Sequence, residues 1–126
     1  MPTLRVVRDV KVVRDQDAAT MILTTNGTMF NTQNFIEMSV FIETENSGGT
    51  NPTLDITVET YDPVMGNWFD VGMVFTQIVG NTTQHLTNNT LTYGFFMALR
   101  QFCRLVYTIA GTSPTFDVTA TVVLKS

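Results

Sequence analysis

The sequence predicts an all-β protein, an antiparallel β-sandwich that is jelly-roll-like, with about seven to nine strands. Three observations predict it. Apolar residues alternate with polar ones, with a period of two, in four separate windows, the pattern of half-buried strands. Gly, Pro and Asn segments punctuate the chain at intervals of about 8–12 residues, as in sandwiches. No window longer than about ten residues keeps a clean helical period of 3.6.

The N-terminal stretch "LRVVRDVKVVRD" repeats its Val-Val-Arg-Asp unit at residues 6–9 and 12–15. Arg5, Arg8, Lys11 and Arg14 are four of the seven basic residues of the chain. Their three-residue spacing charges neither face of a strand uniformly. The segment reads in two ways. It is an edge strand whose charges block sheet-to-sheet aggregation, or an arm laid on an acidic neighbour. As an arm, its valines extend the neighbour's sheet and its arginines pair with carboxylates. Residues 1–17 are therefore set apart as an arm or edge strand, and residues 18–126 form a single sandwich domain.

"NGT" at residues 26–28 reads as a tight turn between short strands. In the next window Ile36, Met38, Val40 and Ile42 share one face, while Glu37, Ser39, Phe41 and Glu43 share the other. Leu54, Ile56 and Val58 then alternate with Asp55, Thr57 and Glu59. "DPVMGN" at residues 62–67 is a turn before "NWFDV", where Phe69 and Val71 are expected inward and Trp68 outward. A short strand follows within residues 80–90, and "LTYGFFMALRQF" at 91–102 has room for one helical turn. Cys103, Leu105, Tyr107 and Ile109 make the next inward set. Phe116, Val118, Ala120, Val122 and Leu124 make the last.

One segment occurs twice. "GTNPTLDITV" at residues 49–58 returns as "GTSPTFDVTA" at 111–120, identical at six of ten positions. Gly49 and Gly111 suit positive φ angles. Pro52 and Pro114 suit strand starts, where a missing N–H costs least. Asp55 and Asp117 fall on polar faces. Turn and strand chemistry thus accounts for the repeat without a ligand. Each copy is expected to close a local hairpin, and the two hairpins to pack as pseudo-equivalent halves.

Composition excludes several functions. The net charge is −4 and only 14% of residues are charged, against a norm of about 25%, so the basic face of a nucleic-acid binder is missing. Neither a secretory h-region nor an apolar run approaching the ~20 residues of a membrane span is present. Neither nucleic acid nor membrane is an expected partner. Cys103 is the one cysteine and His85 the one histidine, too few for a disulfide or a zinc site. No nucleophile elbow or phosphate-binding loop is present, and His85 has no evident catalytic company. The chain is read as not an enzyme, with no cofactor and no metal. Glu43, Glu45, Asp55, Glu59 and Asp62 gather near the first repeat without the spacing of a calcium loop, so they read as a solvated polar face. Trp68, Phe69, Tyr61 and Tyr93 are read as packing residues, with a sugar-stacking platform as the alternative.

The pieces "SGGTNPTLDITVETYDP", "NWFDVGMVFTQI" and "CRLVYTIAGTSPTFDVTATV" together resemble small β-sandwich proteins of tailed bacteriophages, encoded among head genes and described as capsid decoration, cement or minor head structural proteins. The resemblance covers residues 35–123 and leaves residues 1–34 outside it. It implies a non-enzymatic virion protein, made in the host cytoplasm, that binds the outer surface of the assembled major capsid protein shell and stabilises it. It also implies self-association as a homodimer or homotrimer. On this reading Arg5, Arg8, Lys11 and Arg14 are candidate capsid or subunit contacts, and Trp68 a candidate exposed aromatic contact. Two alternatives stay open: a carbohydrate-binding or host-adhesion module, and a tail or neck component.

Overall fold

The computed structural model describes residues 9–33, 35, 37–73, 75–88 (82–88 by their backbone) and 102–125. Among them are seven strands: β1 Val10–Met21, β2 Thr25–Asn26, β3 Phe30–Asn31, β4 Glu37–Asp62, β5 Asn67–Asp70, β6 Thr82–Asn88 and β7 Phe102–Lys125. Ile36, Tyr93 and the window 91–101 lie outside the described residues, so the expected helical turn does too.

Two long strands organise the rest. β4 and β7 pair antiparallel from Glu37↔Lys125 to Thr60↔Cys103, forming one continuous ribbon. Its alternation sets the core. On β4, Met38, Val40, Ile42, Leu54, Ile56 and Val58 are buried, and opposite them on β7 so are Cys103, Leu105, Tyr107, Phe116, Val118, Ala120, Val122 and Leu124. Apart from Ile36, which lies outside the described residues, the inward sets read on β4 and β7 are the inward sets of the fold, with Ile109 packed half-buried against them.

The ribbon bends in its middle, and the duplicated segment makes the bend. Thr50 pairs with Thr112, its own counterpart in the repeat. Register shifts lie between Glu45, Gly48, Thr50 and Thr53. Gly49 and Gly111 have φ of 95° and 121°, and the next equivalent pair, Asn51 and Ser113, have φ of 50° and 49°. The contacts are reciprocal. A Cβ on Gly49 would lie 2.7 Å from the Thr112 carbonyl oxygen and meet that of Ser113, and one on Gly111 would lie 2.7 Å from that of Asn51. The two copies thus face each other about a local pseudo-two-fold axis. This corrects the expectation of two separate hairpins. The chain does not reverse at either copy, and Pro52 and Pro114 sit inside continuous strands, at the bend. Gly, Pro and left-handed residues serve a bend as well as a turn, so local chemistry alone does not tell one from the other.

Each arm of the ribbon gains flanking strands. β1 adds to β7 from Val10↔Lys125 to Met21↔Phe116, and β6 adds to β4 from Met38↔Asn88 to Thr44↔Thr82. On the other arm, β2 and β3 add to β7 and β5 adds to β4. The layers are therefore β1–β7–β4–β6 and β2/β3–β7–β4–β5, the strand arrangement of a jelly roll. One apolar cluster fills the space between them. "NGT" is not a reversal: β2 and β3 are successive pieces of one path along β7, joined where the Gly27 N–H donates to the Leu105 carbonyl at 2.7 Å. "DPVMGN" is the turn expected, closed by Gly66 N–H to the Asp62 carbonyl at 2.8 Å.

A polar tie locks the edge of one layer to the other. The buried Tyr107 hydroxyl donates to Asp15 on β1 at 2.6 Å, and the same carboxylate accepts the Thr28 N–H at 2.9 Å. Burial pushes the Tyr107 phenol far above its ordinary range, and the Asp15 carboxylate pushes it further, since both disfavour a phenolate. Tyr107 is therefore a permanent donor.

The bend predicts a sharp contrast among glycines. Gly49→Ala and Gly111→Ala should each cost at least about 2 kcal/mol, because left-handed strain adds to collision with a backbone carbonyl. Gly80→Ala, with nothing within 4 Å of the new Cβ, should cost less than about 0.5 kcal/mol. Chemical denaturation of the three variants reads the difference.

Candidate interaction surface

Several chemistry-bearing side chains in the described part hold structural places. Cys103 is fully buried, and burial raises its thiol pKa, which leaves it a core residue, as read from the sequence. The carboxylates do not gather as the sequence suggested. Glu43 and Glu45 lie on the arm of the first layer, and Asp55 and Glu59 on that of the second. Asp55 accepts from Gln77 Nε2 at 3.0 Å, and Asp62 caps its turn by accepting the Val64 N–H at 2.9 Å. Asp117 accepts from Thr20 and Asn46 at 2.6 and 2.7 Å, and these bonds, Thr20's foremost, hold its pKa down. Among the described residues no three His, Cys, Asp or Glu side chains come together as a metal site. His85 sits on β6 opposite Phe41. Among the described residues no helix is long and apolar enough to cross a membrane.

Two outward surfaces remain. On the second layer Trp68 packs against Tyr61 across the β4–β5 pair, with ring centroids 5.1 Å apart and planes tilted by 47°. The Arg104 guanidinium lies 4.2 Å over the Trp68 ring. Glu59, its cross-strand partner, holds it through Oε1, at 3.0 Å from Nε and 2.9 Å from Nη2. Trp68 does face outward, but one face of its ring is covered by a cation, an arrangement worth about 0.5–2 kcal/mol. Phe69 departs from expectation. It is 45% exposed, because among the described residues β5 is the last strand beside β4, whereas Val71 is buried as expected.

On the first layer the outward residues are Val10, Val12 and Arg14 of β1, Thr119, Thr121, Val123 and Lys125 of β7, and Glu37, Ser39, Phe41, Glu43 and Glu45 of β4. Val10, Val12 and Phe41 are 57%, 63% and 40% exposed. A shallow pocket of about 260 Å³ opens over β7, with Thr119 and Thr121 between Arg14 on one side and Phe41 and Glu43 on the other.

The structure separates the four basic candidates. Arg14 is on this outer face. Lys11 pairs opposite the buried Leu124, on the inward side, where its Nζ donates to the Asn31 carbonyl at 3.4 Å. Arg5 and Arg8 lie outside the described residues. The apolar outer face of β1 was missed as a feature, although "VKVVR" carries it: alternation puts Val10, Val12 and Arg14 together once Lys11 and Val13 point inward.

No protein-family description and no curated protein matches the chain. Among solved structures it is similar to the crystal structure of the infectious bursal disease virus VP2 subviral particle, with a TM-score of 0.60 and 11% identity over 94% of this chain. The match covers 32% of that chain, so the present chain spans about a third of the protein it resembles. At this identity the likeness is one of fold. The class defined is an all-β antiparallel sandwich, similar in fold to part of that VP2 chain.

Trp68 is the single tryptophan, so its fluorescence reports on the second surface directly. Arg104→Ala should uncover the ring, raising acrylamide quenching and shifting emission to the red, while costing about 1–2 kcal/mol or less. Unchanged quenching would contradict the stacked geometry.

Proposed function

We propose that this chain is a non-enzymatic structural protein of a virus particle, and that it works as a decoration or cement protein on the outer surface of the capsid shell. The observation that carries the reading is the likeness of fold, at a TM-score of 0.60 over 94% of the chain, to a protein of a viral subviral particle. The resemblance of residues 35–123 to phage head proteins gives the finer assignment. The described residues add surface: their cysteine is buried, Asp55, Asp62 and Asp117 accept hydrogen bonds from neighbouring turns and strands, and their apolar outer face suits contact. The partner is the major capsid protein, and the mechanism is burial of a complementary surface repeated over many symmetric sites. Each contact can then be weak, because linked sites act at high effective concentration. The adhesion alternative is less favoured, since Arg104 covers a face of Trp68 that a sugar would need.

A second reading has one observation behind it. The matched particle is described as VP2's own, which favours a chain that itself builds shell. One experiment separates the two. Purified protein is sedimented alone and then with capsids assembled without it, and bound density is located by electron microscopy. The decoration reading predicts small species alone and saturable co-sedimentation, with density at symmetry-related positions on the shell exterior. Closed particles formed by the chain alone would establish the second reading. Absence of binding to capsids in every maturation state would overturn the first.

A further inference from the structure

Asp117 is the middle member of the last outward row before the bend. Its register partners are Thr20 of β1 on one side and Glu45 of β4 on the other. Both neighbouring strands lose register beside it. β1 has two residues, Asp17 and Ala18, opposite Thr119 alone, and Ala18 has a φ of 46°. β4 shifts between Glu45 and Gly48, and Asn46 has a φ of 50°. Side chains of β7 hold both irregularities. Thr119 Oγ1 accepts the Ala18 N–H at 3.0 Å. The Asp117 carboxylate accepts from the Thr20 hydroxyl at 2.6 Å through Oδ1, and from Asn46 Nδ2 at 2.7 Å through Oδ2.

The charges around this carboxylate are of its own sign. Glu45 is directly opposite, Glu43 is one outward row further along β4, and Asp17 lies in the irregular part of β1. Among the described residues the nearest base by register is Arg14, paired with Thr121. That is four residues along β7, about 13 Å at 3.3 Å per residue, beyond a screening length of ~8 Å. Neither donor to Asp117 carries a charge. Like-signed neighbours raise a carboxyl pKa, and hydrogen bonds to the carboxylate lower it. Asp117 is held low, by Thr20 first and Asn46 second, so the two bonds outweigh the charges.

We infer that Asp117 is an acid-released clasp, which fastens the end of β1 and the start of the bend to the middle strand while its carboxylate is ionised and lets them loosen when it takes up a proton. The proton goes to one of the two oxygens. Each oxygen already accepts a bond, so either Thr20 or Asn46 loses its acceptor. The β4–β7 ladder and the apolar cluster need no carboxylate, so the loosening is local. A carboxylate whose folded pKa is depressed contributes stability above its unfolded value of about 3.9. That contribution is lost as pH falls through the folded value, so the clasp opens on the acid side of about pH 4. An ion pair at this place would also weaken with salt, whereas uncharged donors leave the clasp insensitive to it. The clasp is a property of the free chain and does not depend on a capsid.

The test is a nuclear magnetic resonance titration of the free protein from about pH 7 to about pH 2.5. It follows the Asp117 carboxyl carbon, together with hydrogen-exchange protection of the Ala18 and Ser47 amides, which donate to the side chains of Thr119 and Asn81. Thr20→Val and Asn46→Ala should each raise the Asp117 midpoint. In wild type, protection at Ala18 and Ser47 should fall at least about threefold through that midpoint, while protection at Val40 and Val122 stays within about twofold. Asp117→Asn should remove the step and show the low protection throughout. Glu45→Gln should keep the step, and a tenfold rise in sodium chloride at neutral pH should leave protection unchanged. Circular dichroism at neutral pH checks that each variant is folded. A midpoint unmoved by both the Thr20 and Asn46 substitutions would overturn the clasp. So would an acid step that survives in Asp117→Asn, one that disappears in Glu45→Gln, or one that strips Val40 and Val122 of protection at the same pH.

Discussion

Everything in this fold hangs on the place where Thr50 meets Thr112. β4 and β7 are single strands of 26 and 24 residues, and a ribbon that long cannot close a core unless both strands bend at the same point. The register carries the signature. Between the two arms β4 has seven residues (46–52) and β7 has six (111–116), so β4 buries even-numbered residues on both sides while β7 switches from odd to even. That one-residue difference keeps the apolar face inward through the bend. The strain is local, of order 1–3 kcal/mol for each left-handed non-glycine residue. It is offset by arms whose large apolar side chains contribute about 1.5–3 kcal/mol each when buried.

Once the ribbon is bent, the other strands have their places. β1 and β6 extend one arm, and β2, β3 and β5 extend the other. The Tyr107–Asp15 hydrogen bond then ties the edge of the first layer to a residue buried in the second. The result has two outer faces of different character. One carries Trp68 under a guanidinium that is itself fixed by Glu59. The other carries valines and a phenylalanine between opposed charges.

Much of this was legible in the chain. Period two placed Met38, Val40, Ile42, Leu54, Ile56, Val58 and the inward residues of β7 correctly, because alternation is a local property of a half-buried strand. The positive φ of Gly49 and Gly111, the turn at Asp62 and the burial of Cys103 were local too. The pairing was not. Whether "GTNP" closes a hairpin or crosses its own copy sixty-two residues away depends on partners that local propensity does not see. The same holds for "NGT", which follows β7 instead of reversing, and for Phe69, whose exposure depends on β5 being an edge. At the surface, Trp68's outward direction could be read but its cover could not, since Arg104 reaches it across strands from residues far along the chain.

The crossing of the two repeats is the most direct point of test. Backbone nuclear Overhauser contacts in an isotope-labelled sample should link Thr50 to Thr112, with flanking contacts between Leu54 and Ile109 and between Glu45 and Asp117. Contacts that instead close residues 45–53 and 110–117 each on itself, with none between Thr50 and Thr112, would replace the bent ribbon by two separate hairpins and contradict the fold described.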